Sequence, residues 1–527
     1  MNANDLMDII GNSDEKYVHD AHESKANRRK RQIINLALGA AACMILAPMV
    51  LFGGMTLFFG GVFGAGAAAP EAYAPDIDTP DTPVSTFSNY TGPVMAITAL
   101  ENSSGITAER SLKISLAPLC SGEDYEAFAE LSDSYLLTNS TSADISLTMA
   151  YPFAATWYEA NEQGLVPELL IDGQLRSVTV GDIVYGPYSG TFVPVYGADY
   201  DPEMTTANLE GPAGYNEYIT LLMEGMYIEE SFSEVPELDQ AVTVYKLSDY
   251  EYTSDTGATN PTLQFCYEAD SSKTQVLTWN FNGGSNYDEN GYYERHAGGI
   301  IVRPEASPEN IYPEDAYLVV LGEDIKNYSV QGYRNGGCKD GDELSDLGCS
   351  VTRYETTLGE VLRDLIKTGR YFGNRMQANT ESLYRICVAA LMDFGPISTD
   401  PVTRYSFGML DQFVYDVSTH NRIAYLSFPI TVPAGETVEI ELRSPKELSY
   451  NYHGAGDTEL YRLDFAGNHG STLEFSSVKV SLSDYEGIEL TANCFGFDLS
   501  AGVTETEIIH KDLTHWYMDI RKKPAGG

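Results

Sequence analysis

From Ile33 to Phe63 the only clearly polar residues are Asn35 and Thr56, and four consecutive cations, Arg28 to Arg31, stand just ahead of the run. No other feature of the chain limits its architecture so strongly. A bilayer is crossed by about 20 apolar residues, and Ile33 to Phe52 already supplies them. Ile33, Ile34, Leu36, Leu38, Ile45, Leu46, Val50, Leu51 and Phe52, at roughly −0.5 kcal/mol each, favour central placement by about 4 to 5 kcal/mol. Pro48 is compatible with such a span, because neighbouring groups in a membrane helix re-satisfy the freed carbonyl. Cationic flanks stay in the cytoplasm. The expectation is a single-pass protein of the plasma membrane: residues 1–32 cytoplasmic, residues 33–63 a transmembrane helix, residues 64–527 outside.

Two other fates compete. A cleaved secretory leader has a short basic start and about 7–15 apolar residues; here 32 residues precede the run, and the small-residue endings Ala67–Ala69 and Ala72–Ala74 are each followed by proline. A lipidated Cys43, in "GAAAC", calls for a polar tether, whereas "MILAPMVLF" follows. The retained helix is the favoured reading.

Charge separates the two sides. Residues 1–32 hold six acids and six bases, so the whole formal charge of −44 falls beyond the apolar run. Such a surface repels nucleic acid, whose binding depends on cations placed against phosphate. It favours solubility and basic partners.

Residues 64–86, "GAGAAAPEAYAPDIDTPDTPVST", form a Pro/Ala linker expected to be extended and solvated. Residues 87–303 carry short Val-, Ile-, Thr- and Tyr-rich runs such as "DISLTMAYPF", "ELLIDGQLRSVTVG" and "AVTVYKLSDYEY". Turn residues separate them, which reads as one or two β-sandwiches. Asp172-Gly173 is a hairpin turn in that pattern. Residues 304–527 are expected to form a second β-rich domain with helices near 357–369 and 380–394. The first of these puts Leu358, Val361, Leu362 and Leu365 on one face. The second is apolar nearly all round and therefore buried. The predicted class is mainly β: one N-terminal transmembrane helix, then tandem β-sandwich-like extracytoplasmic domains, the second α+β. The pentapeptide "LSDYE" occurs at Leu247–Glu251 and again at Leu482–Glu486.

Chemistry-bearing patterns are sparse. Asn286, Asp288 and Asn290, followed by Gly291, match the first half of a calcium loop, where alternating oxygen side chains converge before a glycine turn. Ala297 stands where the closing acid belongs, and a plain polar hairpin is the competing reading. Cys338 and Cys349 are a candidate disulfide closing a small exported loop. There is no CxxC, no GxSxG elbow and no P-loop. Ser476–Lys479 matches S-x-x-K but falls in a strand pattern that sends Ser and Lys to opposite faces. Carboxylates are too abundant to single out a glycosidase pair. Neither a catalytic residue nor a resident cofactor beyond that calcium candidate emerges.

The opening "LMDIIGNSDEKYVHDA…RRKRQIINLALGAAACMIL" resembles the start of a group of uncharacterised clostridial single-pass membrane-anchored exported proteins, and "NCFGFDLSAGVTETEI…HWYMDIRKK" is similar to their C-terminal modules. Some proteins of this layout resemble anti-sigma factors. That resemblance implies a cytoplasmic partner such as a sigma factor, contacted by Leu6, Ile9, Ile10 and Tyr17. Residues 1–32 contain no cysteine, so the zinc-containing anti-sigma pattern is absent. The leading expectation is a non-enzymatic membrane-anchored protein that senses or binds an envelope ligand; surface display and an envelope hydrolase acting on glycan or peptide are the alternatives.

Overall fold

The computed structural model describes residues 89–523 except 122–127, 163–165, 188–190, 195–206, 211, 213, 253–257, 259, 271, 282–284, 288–291, 297, 302–314, 369–378, 394–396, 398–408, 452–459 and 509–514. The cytoplasmic segment with Leu6, Ile9, Ile10 and Tyr17, the apolar run and the linker lie outside the described residues. Among the described residues no helix is long and apolar enough to cross a membrane.

Alternation of apolar and polar residues makes strands here, and long-range pairing decides their order. In Ile106–Ser115 buried positions alternate throughout with half-buried or exposed ones. This strand runs parallel to Glu474–Ser483 and antiparallel to Phe128–Asn139, which itself pairs with Thr437–Glu447. These strands centre a seven-stranded sheet whose one end is the hairpin of Glu168–Ile171 and Gln174–Arg176. Asp172 (φ 49°) and Gly173 (φ 72°) turn that hairpin, both in the left-handed region that Asp tolerates and Gly adopts freely.

A second sheet runs in the order Thr98–Ala99, Ile145–Ala155, Arg422–Val432, Ile183–Tyr185. The inner faces of the two sheets share one apolar core, in which Leu112, Ile114, Leu137, Leu426 and Ile440 are fully buried. A third sheet, Ser449–Asn451, Leu460–Phe465, Trp516–Lys522 and Ile488–Asn493, adds Leu463, Met518 and Ile520 to it. The fold is mainly β and sandwich-like.

The tandem division at 303/304 is corrected. The first sandwich draws strands from both ends of the described chain, and a second β unit is inserted between its halves. Strand Ala241–Tyr252 crosses the expected boundary to pair with Ala316–Gly322 and Leu347–Thr357. Tyr245, Leu247, Phe265, Leu318 and Val320 form a separate core there. Period-two patterning reveals which face of a strand is buried but not which strand lies beside it, so a sequential division was the default that contact geometry overturned.

Helices Leu358–Thr368, Thr380–Asp393 and Leu410–Thr419 follow the inserted unit. A further pair, Tyr215–Met223 and Gly225–Phe232, lies in a stretch read from sequence as β. It packs Tyr218 and Tyr227 against Ala150, Ile423 and Tyr425 of the second sheet.

Candidate functional site

Among the described residues, strand Arg422–Val432 is central along part of its length and an edge along the rest. On one side Ile145–Ala155 pairs with all of it, from Arg422↔Ala155 to Val432↔Ile145. On the other, Ile183–Tyr185 covers only Ala424–Leu426. The Gly186 N–H donates to the Ile423 carbonyl at 2.9 Å, so odd-numbered residues direct their backbone groups to this side. By the same alternation Ser427, Pro429 and Thr431 face outward, where no described strand pairs with them. Pro429 has no N–H to leave unsatisfied, which suits it to an open edge.

The opening is built by a local turn. Had the chain continued the ladder beyond Ile183, Asp182 would stand opposite Ser427. Instead Val180–Asp182 coils into a 3-10 turn. The Asp182 carboxylate accepts from the Thr179 N–H (2.7 Å) and Thr179 hydroxyl (2.9 Å), and the Asp182 N–H donates to the Thr179 carbonyl (3.0 Å). Asn379, at the start of the Thr380–Asp393 helix, pins the turn by donating to the Val180 carbonyl at 2.9 Å.

Between this turn, the Asp172-Gly173 hairpin and the open edge lies a groove of about 520 Å³. Leu169, Leu426, Phe428, Ile430 and Val438 line its floor; Asp172, Arg176, Ser177, Asp182, Ser427 and Thr431 are its polar lining. Its size falls within the roughly 300–1,000 Å³ of ordinary ligand pockets, and an apolar floor with a few polar groups is their usual composition. Both acids in the groove accept backbone hydrogen bonds: Asp182 within its own turn as above, and Asp172 from the Glu439 N–H of strand Thr437–Glu447 at 3.0 Å.

The main titratable clusters elsewhere in the first sandwich act as structure. Arg110 and Asp133 are both fully buried and bonded side-on, Nε to Oδ1 at 2.9 Å and Nη2 to Oδ2 at 2.6 Å. Arg110 also donates to the Gly467 and Met95 carbonyls (2.5 and 2.8 Å), and the Tyr135 hydroxyl donates to Asp133 (2.7 Å). Arg462 and Asp519 form a second two-pronged pair at 2.6 and 2.8 Å.

Lys446 uses all three N–H donors internally, on the Thr91 carbonyl (2.7 Å), Thr91 Oγ1 (3.0 Å) and the Glu447 carbonyl (2.9 Å). Desolvation pulls its pKa down to about 8. The cavity beside it holds only about 50 Å³, room for water rather than a substrate. His515 Nε2 lies 2.6 Å from Asp464 Oδ1, and the imidazole stacks on Tyr215 at 3.7 Å between ring centres. Each cluster ties one element to another.

Of the residues singled out from sequence, Asn286 lies on strand Ser285–Tyr287, while Asp288 and Asn290 fall outside the described residues. The Cys338–Cys349 bridge is corrected: no disulfide joins them. The Cys338 thiol points to the Asn335 carbonyl at 4.0 Å. Cys349 packs against the inserted unit's core, where burial pushes its thiol up to about 11. Sequence reasoning missed the groove, because its walls are separated by some 250 residues of chain. The one available signal was Pro429 in an otherwise regular strand, a mark of an edge.

No family model matches this chain, and no curated protein matches it. One solved structure similar in part is the crystal structure of a "putative nutrient binding protein" from Legionella pneumophila, 8% identical, covering 81% of this chain and 70% of that one. Its TM-score of 0.24 is too low for the likeness to carry an argument.

Proposed function

We propose that the protein is a membrane-anchored extracytoplasmic binding protein that takes its ligand in the groove beside Ser427–Thr431. The observation that supports this reading is the groove itself: an apolar floor, a polar rim and backbone groups that no described strand pairs, with both carboxylates already accepting backbone hydrogen bonds. Such a lining favours capture over acid–base chemistry. The apolar run Ile33–Phe63 supports membrane attachment. The resemblance of the opening to anti-sigma-like proteins, with Leu6, Ile9, Ile10 and Tyr17 as the implied contacts, supports output to a cytoplasmic regulator such as a sigma factor.

The test uses the full chain in lipid nanodiscs, screened by hydrogen exchange against a library of amphipathic fragments. Fragment binding should protect Leu426–Val432 and Leu169–Ile171. Ser177→Trp, which fills the groove from an exposed rim position, should abolish it. Fragments that bind elsewhere, or that ignore Ser177→Trp, would refute the assignment. Deleting residues 2–20 tests the output: unchanged transcription with intact localisation leaves display without signalling.

A further inference from the structure

We infer that the Ser427–Thr431 edge accepts an extended cationic peptide from a separate molecule, added to the second sheet as one more strand. This deepens, and rests on, the assignment of the groove as the ligand site. Three observations point to that occupant.

The first is backbone chemistry. The Ser427 N–H and carbonyl, the Pro429 carbonyl and the Thr431 N–H and carbonyl face outward with no described strand to receive them. An extended peptide satisfies such a row, and it does so with main-chain bonds that need no particular sequence. The second is the floor. Phe428 and Ile430, core residues each 7% exposed, flank Pro429 and show apolar edges to the groove, which alternate side chains of an added strand would cap.

The third is charge. Among the described residues lining the groove, Asp172 and Asp182 stand against one cation, Arg176, on a chain of formal charge −44. Basic residues on the peptide complement that rim and are steered toward it. The same charge opposes a second copy of this chain. Pro429 opposes it too: a symmetric edge-to-edge pair centred there would set two residues lacking an N–H against each other.

The experiment presents the full chain in nanodiscs with an immobilised library of nine-residue peptides, in which Lys or Arg alternates with Val, Leu, Thr or Tyr. The best binder is labelled and its affinity measured by fluorescence polarisation. Strand addition makes a prediction about parity. Methylating the peptide's backbone nitrogens at one set of alternate positions should weaken binding at least tenfold, while methylating the other set changes it less than twofold. Raised salt and Ser177→Trp should each weaken it as well. This readout lies on the peptide, so it does not depend on whether a variant of the strand folds.

Loss at both parities or at neither overturns strand addition. If fragments still bind in a Ser177→Trp-sensitive way, the groove assignment survives that failure. If neither fragments nor peptides bind, both readings fall. Selection of acidic peptides, or concentration-dependent dimerisation that blocks peptide binding, would overturn the choice of occupant.

Discussion

Removing the Asp133 carboxylate should be among the most damaging single changes in the first sandwich. Asp133→Ala takes away the acceptor for Arg110 Nε, Arg110 Nη2 and the Tyr135 hydroxyl together. The guanidinium stays fully buried, left with the Gly467 and Met95 carbonyls and the Phe465 ring 4.7 Å away. Breaking a buried pair from one side typically costs about 3–5 kcal/mol, because the surviving charge is uncompensated. The pair also clips the segment at Met95 and the turn at Gly467 to the seven-stranded sheet, so the loss should appear as lower cooperative stability rather than local loosening. The assay is equilibrium urea unfolding of the full chain in nanodiscs, followed by fluorescence of its three tryptophans, of which Trp157 and Trp279 are buried.

A companion variant separates charge from packing. Arg110→Met with Asp133→Leu removes both charges, and such replacements are often neutral. Here the Met95 and Gly467 carbonyls lose their donor, each at about 1–3 kcal/mol if left dry. The double variant should therefore recover only part of the loss. A cost below about 1 kcal/mol for Asp133→Ala would refute the reasoning, since a stranded buried charge should cost several times that.

Gly92→Ala meets both a positive φ of 77° and an Ala154 Cβ at 2.5 Å, so a loss of about 2–4 kcal/mol is expected in urea unfolding. Gly173→Ala, at φ 72° with nothing within 4 Å, should cost only the conformational term of about 1–2 kcal/mol. Asp411 is buried and its pKa is raised, mainly by desolvation, so the stability it contributes is present below the unfolded-state value and lost as pH rises through the folded one. Asp411→Asn should therefore stabilise the chain at pH 7, with the advantage shrinking below about pH 4; an unchanged or lower midpoint at pH 7 counts against it. Lys446, with its pKa down at about 8, binds fewer protons folded than unfolded, so stability should rise between pH 8 and 10. Lys446→Met should flatten that rise in pH-resolved unfolding. In intact cells an impermeant maleimide should label the exposed Cys120 and Cys494 but not the fully buried Cys387. Labelling only after lysis would overturn the proposed orientation.

Local features were legible in the sequence wherever the determining contacts are local. The turn at Asp172-Gly173 follows from two residues that accept positive φ. The Leu358, Val361, Leu362 and Leu365 stripe marks the one face of its helix that is buried. The repeated "LSDYE" reports a shared conformation: Asp249 and Asp484 have φ of 50° and 52°, and each accepts from the preceding serine hydroxyl, at 3.1 and 2.8 Å. The helices Tyr215–Met223 and Gly225–Phe232 were not legible. Tertiary packing of their tyrosines on the second sheet stabilises them, and their own periodicity is weak beside the surrounding β signal.

By itself, the sequence determined what depends on composition and near neighbours: the apolar run behind its cations, the acidity beyond it, the strand-rich class and the tight turns. Only the tertiary structure decided that strands more than 300 residues apart share a sheet, that a second β unit interrupts the first sandwich, and that, among the described residues, one strand is left half-covered beside a groove. The physical reason is that side-chain alternation specifies a buried face, whereas the choice of neighbour along the hydrogen-bonding direction depends on how all the faces close around one core.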